Sequence, residues 1–101
     1  MFDTNKLRDQ CKRDKLLAYC ISYIAMINLG VAGDYNRALI HQKIEDVCDW
    51  IEPEQLKEYL HNLDSLIGLP LRTLSNEEVR IYGVKLFRFL ESKLNERNID
   101  K

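Results

Sequence analysis

The stretch LLAYCISYIAMINL, residues 16–29, carries no charge and only two clearly polar residues, Ser22 and Asn28. A surface helix keeps one apolar stripe and one polar face. This stretch keeps no charged face, which predicts a helix buried nearly all round, with the other segments packed on it. At about 1.5 Å per residue it reaches roughly 21 Å, short of the ~30 Å hydrocarbon core of a bilayer. It therefore decides for a buried core helix and against a membrane span.

Working outward, Asp3-Thr4-Asn5 offers N-cap side chains, and Leu7 and Cys11 share a face ahead of the polar collar Lys12-Arg13-Asp14-Lys15. One helix is expected over residues 4–29, with Gly30 as its stop. Asp34 reads as the cap of a second helix over 35–51, whose core face is Ile40, Ile44, Val47, Cys48 and Ile51. Glu52-Pro53 ends it, because the residue before proline is pushed out of the α region, while proline suits the first position of a new helix. The third helix, 53–67, has a clear amphipathic pattern in Leu56, Tyr59, Leu60, Leu63 and Ile67. Gly68 stops it, and Leu69-Pro70-Leu71-Arg72-Thr73-Leu74 is an extended connection. Ser75 and Glu78 match a capping box, with Leu74 and Val79 as its hydrophobic staple. The fourth helix covers 76–95, with a wide face of Val79, Tyr82, Gly83, Leu86, Phe87, Phe89, Leu90 and Leu94; the tail beyond it is expected to fray.

Four helices joined by short loops predict an all-α compact bundle with the first helix central, in a single domain over residues 1–101. Only four glycines and two prolines leave little turn chemistry for a many-stranded β fold. The net charge of −1 gives no global attraction to nucleic acid or anionic lipid. Its distribution is uneven: the middle of the chain is acidic and the two ends are mildly basic. Three cysteines without a C-x-x-C pair, and no secretory signal pattern, point to reduced thiols and a cytoplasmic location.

Chemistry is sparse. His41 and Cys48 lie seven apart on the second helix, with Cys20 and His61 elsewhere, but a structural zinc site wants close ligand pairs that are missing. His41 and Glu45, one turn apart, are the nearest thing to an acid–base pair, with no nucleophile, oxyanion donors or glycine-rich phosphate loop beside them. No enzyme activity, metal or cofactor is expected. The second helix instead has apolar residues to spare. Tyr35, Leu39 and Trp50 fall away from its core face, with Glu45, Asp46 and Asp49 beside them. Trp and Tyr are enriched at interface hot spots, and acidic neighbours would steer association. The stripe reads either as a second core contact or as a partner-facing surface; the latter predicts a small interaction protein that binds another protein stoichiometrically, as a regulator, inhibitor or adaptor. Ile81 and Val84 are a smaller surplus on the fourth helix and suggest a homodimer. The alternative is a nucleic-acid-binding regulator using the basic ends, through Lys12, Arg13 and Lys15 or Arg72, Arg80 and Arg88.

Overall fold

The computed structural model describes the backbone of residues 4–31 and 33–99 and the side chains of residues 10–31 and 33–94. Five helices follow one another: α1 (Thr4–Asn28), α2 (Asp34–Val47), α3 (Pro53–His61), α4 (Leu63–Ile67) and α5 (Asn76–Ile99), with no strand among the described residues. The all-α bundle is as expected, with five helices where four were predicted. The cap at Asp3 and the side chains of Leu7 and Asn95 lie outside the described residues.

The architecture rests on an antiparallel pair. Arg13 of α1 meets Glu91 of α5 at 2.6 Å. Further along, Ile21 meets Gly83, and Asn28 meets Leu74 just ahead of α5. A Cβ added to Gly83 would lie 2.5 Å from Ile21 Cγ1 and 2.7 Å from Ile21 Cα. The absence of a side chain is what lets the two long helices approach so closely. Leu16, Cys20, Tyr23 and Ile24 of α1 are buried in one apolar cluster with Ile44, Leu56, Leu60, Leu63, Leu86 and Leu90 from the other helices.

The central stretch is not buried all round. Ala18 and Ser22 are exposed, and Leu29 at its end is 73% exposed. The open side is built of small residues rather than charged ones, so the sequence carries no polar face to mark it.

The helix ends explain the other differences. Gly33, not Asp34, occupies the N-cap of α2, and Asp34 sits in the first turn. Asn36 closes the preceding turn by donating from Nδ2 to the Val31 carbonyl at 2.7 Å. The second helix stops at Val47, four residues short of the expected end. The expected 53–67 helix breaks at Asn62, whose backbone sits at φ −120°, ψ 41°. Its Nδ2 donates to the Glu58 carbonyl at 2.8 Å, taking the acceptor that its own backbone N–H would use in a continuing helix. The break turns Leu63 into the core at 4% exposure.

Gly68 ends α4 at φ 69°, the left-handed region open to glycine. The bond from the Gly68 N–H to the Asp64 carbonyl at 3.1 Å makes it an αL cap. The capping box of α5 forms as predicted: Ser75 Oγ accepts from the Glu78 N–H, and Glu78 Oε1 accepts from the Ser75 N–H, both at 3.1 Å. Leu74 and Val79 beside it are both buried. α5 then continues to Ile99, four residues beyond the expected end.

Candidate functional site

Tyr35 and Leu39 stand on the outer side of α2, 80% and 49% exposed. Trp50 does not join them. Helical spacing put it on their face only while the helix ran to Ile51; with α2 ended at Val47, Trp50 lies in the connection to α3. There its indole Nε1 donates to the Leu90 carbonyl of α5 at 2.8 Å, and its ring packs against the core cluster. Leaving the helix gives the side chain both a hydrogen bond and apolar cover, and Glu52, extended before Pro53 at ψ 140°, is already committed to a break. The predicted three-residue stripe is therefore divided between an open surface and a core contact.

The acidic flank is divided as well. Asp49 pairs with Lys12 of α1 at 3.6 Å. Asp46 accepts from Gln42 Nε2 at 3.0 Å, one turn back on the same helix. Glu45 is half-buried and Asp46 exposed. Ile81 is 46% exposed, while Val84 is half-buried beside the Gly83 crossing.

The larger exposed apolar surface lies ahead of α2. Leu29 is 73% exposed and Val31 50% exposed, so the large apolar residues Leu29, Val31, Tyr35 and Leu39 fall within a span of eleven residues around the α1–α2 corner. Leu71, fully exposed, belongs to the same end of the molecule. Asn28 holds it there: its Nδ2 donates to the Leu74 carbonyl at 3.2 Å, and its Oδ1 accepts from the Leu74 N–H at 2.7 Å. The Leu69–Leu74 connection is thus tied to the C-terminal end of α1. Reading the first helix as buried hid Leu29. The signal available was Gly30: a helix stop there places Leu29 and Val31 in a turn, where burial is harder to achieve.

Ion pairs occupy several of the basic residues considered for phosphate contacts. Besides the Lys12–Asp49 pair, Arg13 Nε bonds Glu91 and its guanidinium lies 5.7 Å from the Phe87 ring centroid. Arg72 grips Glu78 through two nitrogens. That grip, together with the Ser75 N–H, holds the Glu78 carboxyl down to about 2.

Cys20 and Cys48 are buried and free; burial pushes the Cys20 thiol upward and that of Cys48 up to about 12, so neither is a ready nucleophile. No group of three or more His, Cys, Asp or Glu among the described residues is arranged to hold a metal. No described helix is long and apolar enough to cross a membrane. Comparison with family models, curated proteins and solved structures gave no match.

Proposed function

We propose that this chain is a non-enzymatic interaction protein that binds another protein through the α1–α2 corner, with Leu29, Val31, Tyr35 and Leu39 as its apolar contacts. The observation that carries this reading is their joint exposure. Single exposed apolar residues are ordinary, but a concentration of large ones marks an interaction surface. Tyr35 is the best candidate anchor, since tyrosine combines a large apolar ring with a polar tip. A regulator, inhibitor or adaptor would act in this stoichiometric way. Glu45 and Asp46 remain candidates for steering; Asp49 already serves Lys12, and Trp50 serves the core.

Self-association through Ile81 and Val84 is a weaker proposal, because Val84 is already half-covered. Nucleic-acid binding through the basic ends is disfavoured by the carboxylates on Lys12, Arg13 and Arg72. The test is affinity capture with the parent protein and with Leu29→Asp/Tyr35→Asp, quantifying bound protein and nucleic acid. A protein retained in stoichiometric amount by the parent and lost from an equally stable variant supports the corner. Equal retention by both refutes it.

A further inference from the structure

α2 and α3 turn basic groups toward each other. Asp34, Arg37, Ala38 and His41 recur at helical spacing along one side of α2, and Lys57 and His61 lie one turn apart on α3. These six residues line one pocket of about 280 Å³. Four of them are bases, and Asp34 is the single carboxylate. The His41 and His61 rings are 5.8 Å apart between centroids, tilted by 59°. From α1, the Tyr23 ring meets His41 edge-on at 5.8 Å, while its hydroxyl is spent on the Leu60 carbonyl at 3.1 Å.

Two observations set this pocket apart. His41 Nε2 is shielded from solvent and makes no hydrogen bond, and it is the only such buried side-chain nitrogen or oxygen among the described residues. Native proteins keep few such atoms. The pocket's field is also positive: burial first, then His61, Lys57 and Arg37, all push His41 toward its neutral form. The charged groups around it are Arg37 and Asp34 from α2 and Lys57 and His61 from α3. Asp64 of α4 lines an adjoining groove that shares Arg37 and His61. Among the described residues, one or two carboxylates face four bases.

We propose that this pocket binds the phosphate group of a small molecule, contacted by Arg37, Lys57 and His61, with His41 taking up a proton from solvent as the anion enters. The contacting groups are all donors when charged, and a phosphate is all acceptors. Arg37 offers a planar fork and Lys57 a point charge. Donors arriving from two helices suit a tetrahedral group better than a carboxylate, whose two oxygens share one plane. Because Nε2 is covered, the anion acts on His41 through its field, reversing the effect of the neighbouring cations. The adjoining groove, about 360 Å³ and walled in part by Ile24, Ile27, Leu60 and Leu63, has room for the apolar remainder of a phosphate monoester.

The experiment follows the two histidine rings by NMR while inorganic phosphate, phenyl phosphate or acetate is added at constant ionic strength. Phosphate should shift both rings saturably and raise the pH at which His41 titrates. Phenyl phosphate should bind more tightly, and acetate should do neither. Lys57→Ala, at an exposed position, should stay folded and weaken phosphate binding roughly tenfold or more, as loss of a charge-assisted hydrogen bond does. Arg37→Ala should do the same. No saturable shift, an equal response to acetate, or unchanged phosphate affinity in both variants overturns the site. Phenyl phosphate binding no tighter than inorganic phosphate overturns the extension into the groove.

Discussion

Removing the Trp50 side chain takes away two things at once: apolar cover for α5 and the hydrogen bond from Nε1 to the Leu90 carbonyl. Trp50→Phe keeps much of the cover and should cost about 1 kcal/mol, the usual worth of one hydrogen bond. Trp50→Ala should cost about 2–3 kcal/mol, below the range for a fully buried tryptophan because the ring is only partly enclosed. Urea unfolding of both variants checks the order, and an Ala variant as stable as the parent would put Trp50 back on the surface. His41 makes a second prediction. Its folded value is lowered, first by burial and then by His61, Lys57 and Arg37, while Asp34 stands nearby with the opposite charge. In the unfolded chain it titrates near about 6.5. Between the two values the unfolded state binds more protons, so stability rises with pH there. The contribution is complete above about 6.5 and is lost as pH falls toward the folded value. His41→Gln should therefore flatten the decline in melting temperature between neutral pH and mildly acidic pH. Glu78 acts lower, since its stabilisation is present above its usual range and lost as pH falls toward about 2. Being exposed, it should respond to salt as well.

At the scale of the element, what was legible was periodicity and what was not was termination. The core faces of α2, α3 and α5 follow from spacing: Ile44, Leu56, Leu60, Leu86 and Leu90 are all buried. The capping box of α5 was legible because both partners are local in sequence. The end of α2 was not, because it is settled by a tertiary bond between residues forty apart. The break at Asn62 lay in a residue that competes with the helix for its own carbonyls, inside a pattern that otherwise continues. The weight carried by Gly83 was equally hidden, since spacing put it on the core face without showing what it touches. In a helix, Gly→Ala ordinarily gains about 1 kcal/mol. Here the new Cβ would meet Ile21 backbone at 2.7 Å. A backbone atom cannot swing aside as a side-chain tip can, and overpacking of this kind costs about 1–3 kcal/mol. Gly83→Ala should thus be net destabilising, and a melting temperature at or above the parent's would show that α1 and α5 are not held this closely.

For the whole molecule, the antiparallel α1–α5 pair separates two jobs. Along its length the helices bury Leu16, Ile24, Leu86 and Leu90, and at one end the α1–α2 turn and the Leu69–Leu74 connection meet. The sequence has an acidic middle and mildly basic ends, and one pair joins them: Lys12 reaches Asp49, while Arg13 and Glu91 join the two ends to each other. Exposed pairs of this kind contribute little to stability, but they remove cations that a nucleic acid would need. The exposed large apolar residues Leu29, Val31, Tyr35 and Leu39 lie at the corner. The stability of the fold should therefore be nearly independent of that corner. Leu29 and Tyr35 are 73% and 80% exposed, so Leu29→Asp/Tyr35→Asp should change folding by no more than about 1 kcal/mol in total. By contrast, Ile24→Asp places a carboxylate at a fully buried position and should leave no folded species. If the corner carries the interface, the double variant should lose at least about 2 kcal/mol of affinity for the captured protein, the scale of a hot spot. That affinity should change little with salt, because the contacts are apolar, whereas phosphate contacts would weaken steeply. Calorimetric titration of parent and variant at two salt concentrations reads both quantities. A steep salt dependence together with unchanged binding by the variant would move the interface from the corner to the charged surface of the helices.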